Sequence, residues 1–235
     1  MLLVISIMAT VIATGIGGII GVKIGRLENI GKILAFAGGI MISIVAFEIV
    51  PEAINLSNLF LVVFFIFTGI ILVEVVERIV NHYDDYKETS IKRTGVILLV
   101  VIGLHNFPEG LAIGASGANS HQVALILGLV VAIHDISEGM AIAVPLQTAG
   151  LGKGKTIFCT FISGATTIVG ALIGLFLGKI SLTFSSITLA IAGGAMLYVV
   201  YLEIIPESLN YESPKKVAIS TIIGIIIGLI IVTIY

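Results

Sequence analysis

The sequence predicts an all-α integral membrane protein, with eight transmembrane helices in an inverted-repeat bundle. Three observations carry that expectation. Of 235 residues, 58% are hydrophobic and 11% charged, with a mean hydropathy of +1.20. A soluble domain carries roughly 25% charge, so the solvent here is mostly lipid. The apolar residues fall in continuous runs of the length a helix needs to cross a bilayer, about 20 residues. Finally, runs five spans apart repeat one another. This composition excludes a soluble enzyme, a disordered chain and a nucleic-acid-binding domain. The single cysteine, Cys159, excludes an internal disulfide and a thiolate metal cluster.

The expected spans are 2–22, 33–53, 57–79, 94–117, 121–146, 156–178, 184–207 and 216–234, forming one polytopic domain over 1–235. The first lacks the basic leader of a signal peptide and reads as a retained helix. The runs do not alternate in polarity, which argues against a transmembrane β-barrel. The connections are short. The longest, 80–93, contains Asn81-His82-Tyr83-Asp84-Asp85-Tyr86 and leaves no room for a soluble domain. Lys23, Arg26, Lys32, Arg78, Lys87, Lys92, Arg93, Lys153, Lys155, Lys215 and Lys216 fall on one side, and only Lys179 on the other. By the positive-inside rule, both termini should lie on the non-cytoplasmic side of the cell membrane.

Residues 35–52 and 190–207 share ten of eighteen identities, including Gly38/Gly193, Gly39/Gly194, Met41/Met196, Glu48/Glu203, Pro51/Pro206 and Glu52/Glu207. These are the second and seventh spans, which cross in opposite directions. Gly17, Gly21 and Gly25 of the first span match Gly170, Gly174 and Gly178 of the sixth. Small residues alone recur in membrane helices, but lipid does not select a shared Glu and Pro-Glu. Inverted repeats are a signature of secondary transporters, with the substrate held at the repeat interface.

A second repeat joins spans four and five. His105-Asn106-Phe107-Pro108-Glu109-Gly110 aligns with His134-Asp135-Ile136-Ser137-Glu138-Gly139, 29 residues on. An ionised side chain at the bilayer centre costs about 3 kcal/mol on insertion scales. Glu109, Asp135 and Glu138 have no Lys or Arg at their depth, so a metal dication or protons must supply the positive charge. His105 and Glu109 share a helix face, as do His134 and Glu138. Asn106 and Asp135 lie about 100° round from the adjoining histidines. Facing each other, the two helices would converge two imidazoles, three carboxylates and an amide, a set suited to zinc, iron and related dications. Pro108 withholds an N–H from the Leu104 carbonyl and should kink its helix beside this cluster. The competing view is that these polar groups only hydrogen-bond helices together.

The paired motif resembles that of the ZIP (Zrt-, Irt-like) divalent metal transporters of prokaryotic type; the resemblance covers essentially the whole chain and implies a 3+2+3 arrangement of the inverted repeat. It implies a principal metal site of His105, Glu109, His134 and Glu138, with Met41 as a weaker contributor. It also implies a second site of Asn106 and Asp135, bridged by Glu109 and Glu138. Ser137 stands where the family has proline. Thr167 and Ile168 stand where a family segment carries Glu and Pro, so one tight and one weak site are expected. Glu48 and Glu203, with Glu52 and Glu207 beyond them, would line the transport pathway on either side. Glu74 and Glu77 are read as interfacial partners of Arg78, and Tyr198 and Tyr201 as packing residues.

The expected function is transport of divalent transition-metal ions, zinc first, into the cytoplasm. The same ligands would accept Fe2+, Mn2+ and Cd2+, and no prosthetic group is expected. The expected partners are metal ions and the lipid bilayer, with a homodimer left open and no nucleic acid. Helices one, two, six and seven are expected to rock against four and five. The alternatives are a proton- or cation-coupled carrier of another solute, and a passive cation channel. An enzyme is not expected. Gly114-Ala115-Ser116-Gly117 fits the intramembrane serine protease pattern, but His134 lies several turns from Ser116, and no His-Glu-x-x-His string occurs.

Overall fold

The structure is a computed structural model and describes residues 1–24, 30–83, 90–177 and 182–233. Among these, eight helices are long and apolar enough to cross a membrane. They are α1 (Leu2–Ile24), α2 (Ile30–Ile44, Val45–Ile49 and Val50–Leu56 in succession), α3 (Leu59–Tyr83) and α4 (Ser90–Asn119). There follow α5 (His121–Thr148), α6 (Lys153–Leu177), α7 (Leu182–Val199, Val200–Ile204 and Ile205–Tyr211) and α8 (Pro214–Thr233). Most overrun their apolar windows by a few residues. A charged side chain such as Lys32 or Glu52 can reach the bilayer edge while its backbone stays helical. Arg26, Lys87 and Lys179 of the charge bias, Gly25 and Gly178 of the glycine match, and Asp84 and Asp85 lie outside the described residues.

The helices pack as two blocks of four. In one, α1 lies along α5 and α4 along α6; in the other, α2 lies along α8 and α3 along α7. Glycine sets how closely each pair approaches. A Cβ added to Gly17 would stand 2.1 Å from the Ile136 carbonyl oxygen, and one on Gly170 would stand 2.1 Å from that of Phe107. In the second block, Gly39 faces the Thr221 carbonyl and Gly194 that of Ile66, at 2.2 and 2.1 Å. Each contact maps onto its partner by the repeat, which therefore extends to α3 and α8. Among the described residues, every glycine whose Cβ would fall within 3 Å of a neighbour faces a helix of its own block. The seam between blocks, α4 against α7 and α2 against α5, has no such approach. By these contacts α1 and α6 group with α5 and α4, whereas the expected rocking set α1 and α6 with α2 and α7.

α2 and α7 each widen by one residue at the same point of the repeat. The Val50 N–H donates to the Val45 carbonyl and the Ile205 N–H to that of Val200, closing π-turns in which Glu48 and Glu203 lie. Pro51 and Pro206 follow directly. A proline ring clashes with the carbonyl four residues earlier, and a wider turn relieves that clash.

The largest apolar cluster fills the seam on the side away from the termini, where Leu34, Met41, Ile102, Ile142 and Met196 are fully buried together. α3 and α8 lie outermost and expose Phe60, Phe64, Phe67, Ile219, Ile222 and Ile226. Such apolar faces are suited to lipid.

Candidate metal centre

Both histidine motifs lie mid-helix, held by the glycine contacts of the first block. A Cβ on Gly139 would stand 2.0 Å from the Thr14 carbonyl oxygen, and one on Gly110 would stand 2.2 Å from that of Thr167. These approaches pull α5 onto α1 and α4 onto α6 one residue beyond Glu138 and Glu109. Pro108 sits inside α4. At the matching place in α5, the Ser137 hydroxyl donates to the His134 carbonyl at 2.7 Å. α5 also contains Pro145 further on.

The two motifs converge. Glu109 Oε1 lies 2.9 Å from His134 Nε2 and 3.1 Å from His105 Nε2. His105 Nε2 is 3.7 Å from Glu138 Oε1, and His134 Nε2 is 3.6 Å from Asp135 Oδ1. Ligand atoms of His105, His134 and Glu138 fall within 4.8 Å of one another, as do those of Glu109, His134 and Asp135. His134 is common to both groups. All five side chains are buried. Both oxygens of Asp135 and of Glu138, Glu109 Oε2, Asn106 Oδ1 and the Nδ1 atoms of both histidines have no hydrogen-bond partner among the described residues. Buried polar groups in folded proteins are normally paired. Beyond the hydrogen bond between His134 and Glu109, these groups do not bond to one another as groups that only tie helices together would, and the arrangement is compatible with a cation ligand set.

The other expected site residues lie around this cluster. Asn106 is buried, and its amide donates to the Ser163 carbonyl at 3.4 Å. Met41 packs in the apolar cluster with Met196, its counterpart in the repeat. Glu48 lines a cavity of about 530 Å³ that reaches Glu109 and His134 and opens on the side of the termini, between Glu52, Asn55, Ser116, Leu127, Ser185 and Val232. Glu203 lies on the opposite side, buried and held by Arg93.

Four features were not anticipated. Glu74 pairs with Arg78 as expected, but Glu77 pairs with Arg93. Tyr198 does not only pack; its hydroxyl donates to Glu77 at 2.5 Å. Thr167 Oγ1 is buried and has no hydrogen-bond partner among the described residues. Thr166 donates to the Gly103 carbonyl at 2.6 Å, tying α6 to α4 one turn before the motif. The Arg93 ion pairs left no local signal, because their partners lie 16 and 110 residues away.

Comparison with known proteins identifies the family of the chain. The family described as ZIP Zinc transporter matches residues 82–235. A zinc transporter ZupT of Streptococcus mutans is 32% identical, with 95% of this chain and 92% of that protein aligned. The ZupT of Akkermansia muciniphila is 31% identical over 99% of this chain and 96% of its own length. That of Chlorobium chlorochromatii is also 31% identical, over 95% and 92%. These relatives are named as transporters and not as enzymes. The chain belongs to the ZIP family of zinc transporters.

Proposed function

We propose that this protein carries divalent transition-metal ions, zinc first, across the cell membrane into the cytoplasm, and that His105, Glu109, His134 and Glu138 form its principal binding site. The observation that carries the reading is the convergence of buried carboxylates and imidazoles, most of whose polar atoms have no hydrogen-bond partner among the described residues, at the inner end of a cavity on the side of the termini. Imidazole and carboxylate together suit first-row dications. Asn106 and Asp135 supply a weaker second position, with Glu109 and Glu138 shared. Glu48 draws cations into the cavity. The lysine and arginine bias puts the cavity mouth on the non-cytoplasmic side.

The cargo loses water as it passes Glu48 and binds between α4 and α5. The block of α1, α4, α5 and α6 then shifts along the seam against α2, α3, α7 and α8, carrying the site toward the other side. Close approaches at glycines inside each block, with none across the seam among the described residues, support this division. Ligand histidines and carboxylates must lose their protons to bind metal. Zinc uptake should therefore fall as pH drops from about 7.5 to 5.5.

The test is uptake of radiolabelled zinc into proteoliposomes, wild type beside a His105→Ala/Glu138→Ala double variant, with iron, manganese and cadmium as competitors. Saturable uptake that the double variant loses supports both function and site, and the competition ranks the metals. No uptake of any of the four metals by folded protein would favour a proton-coupled carrier of another solute.

A further inference from the structure

Arg93 lies near the start of α4. Its Nη2 donates to Glu77 Oε1 at 2.6 Å and to Glu203 Oε1 at 2.7 Å. Thr94 Oγ1 donates to Glu203 Oε2 at 3.0 Å, and the Tyr198 hydroxyl donates to Glu77 Oε2. Arg93 and Thr94 belong to the first block; Glu77, Tyr198 and Glu203 belong to the second. This network therefore bridges the seam. Glu203 is only 4% exposed, so removing its cation would strand a buried charge.

The repeat supplies the control. Glu203 corresponds to Glu48, which lines the open cavity. The counterparts of Arg93, Glu77 and Tyr198 are Gln122, Val232 and Ser43. Only the carboxylate survives in both halves. Closure follows the charges: Leu127, Ser185 and Leu189 line the cavity, whereas their counterparts Leu98, Ile30 and Leu34 are fully buried.

We infer that Arg93 is a tethered stand-in for the cargo cation: its guanidinium joins the carboxylates of Glu77 and Glu203 across the seam, holds that side shut, and yields its place to the metal dication as the side opens. One guanidinium offsets only one of two carboxylates, so the vacated pair attracts a dication. Arg93 is a positioning residue that biases the resting protein toward the state open on the terminal side, and Glu203 is the first acceptor on the way out.

The inference rests on the block movement of the proposed function, and its test needs no metal, so the two can fail separately. In a Cys159→Ser background, Leu127→Cys and Leu98→Cys place matched reporters at repeat-related positions. Full-length protein in metal-free proteoliposomes is labelled with a membrane-impermeant maleimide applied from either side. With Arg93 present, Leu127→Cys should react quickly and Leu98→Cys slowly. Arg93→Gln should raise the Leu98→Cys rate by about tenfold and lower that of Leu127→Cys, and Arg93→Lys should fall between. If Arg93→Gln does not fold, Glu203→Gln, which keeps the shape, removes one charge and leaves only the Arg93–Glu77 pair across the seam, should give a smaller shift in the same direction. Unchanged labelling ratios in folded Arg93→Gln or Glu203→Gln protein would overturn the inference and reduce the network to a structural tie.

Discussion

Glu48 and Glu203 occupy equivalent places in the two halves of this molecule, each inside a π-turn and each followed three residues later by a proline. One lies on the wall of a cavity, and the other is buried against an arginine. Their backbones follow the repeat closely while their surroundings do not. The glycine contacts, the wide turns and the pairing of helices belong to a two-fold plan, whereas the ion pairs and the large apolar cluster belong to one side. A bundle symmetric in side chains as well would weight its two openings equally. Breaking the symmetry in a few charges sets an energy difference between them while both remain packable.

The comparison can be broken at its centre, where the two halves meet. Glu109→Ala removes the oxygen that both histidines approach, and zinc uptake should vanish while the purified variant stays folded by circular dichroism. Wild-type rates would remove the site assignment. Asp135→Ala should leave measurable uptake, and a loss as complete as that of Glu109→Ala would make the two positions equal partners. The packing half of the comparison is sharpened by Gly110→Ala and Gly139→Ala. Each forces a methyl against a carbonyl, and each should destabilise by a similar amount, about 1–3 kcal/mol, read as thermal stability in detergent. Markedly unequal losses would show that the symmetry of contact is not a symmetry of energy. The smallest effect is expected at the open side. Glu48→Gln should raise the KM for zinc severalfold with little change in maximal rate, and an unchanged KM would leave Glu48 out of the pathway.

Much of this architecture could be read from the chain alone. Long apolar runs announce helices because the bilayer demands internally satisfied backbones. The motifs around His105 and His134 stood out because lipid penalises their side chains so heavily. Other features were hidden for physical reasons. Arg93 was counted among the cationic residues that orient the chain, and nothing nearby in sequence distinguishes it from Lys92 or Lys87. Periodicity shows that a helix has a small-residue face but not which helix that face meets, so the grouping of α1 with α5 and α6 with α4 emerged only from the contacts. The repeat is legible in the residues of α1, α2, α6 and α7 but not in those of α3 and α8. There it rests on Gly69 and Gly224 and on backbone atoms contributed by unlike residues such as Ile66 and Thr221.

The π-turns have a consequence for how the chain tolerates change in length. A wide turn accommodates one residue more than a regular helix without altering the phase of what comes before or after it. Loss of a single residue such as Ala46 from Val45–Ile49 would close the turn and leave the helix beyond Val50 facing as it does now. The same loss at Ala37, in the regular part of α2, would swing everything up to the turn by about 100° and tear Gly39 from Thr221. Among the described residues, slack of this kind lies beside Glu48 and Glu203. There the two carboxylates can shift while the surrounding bundle keeps its register.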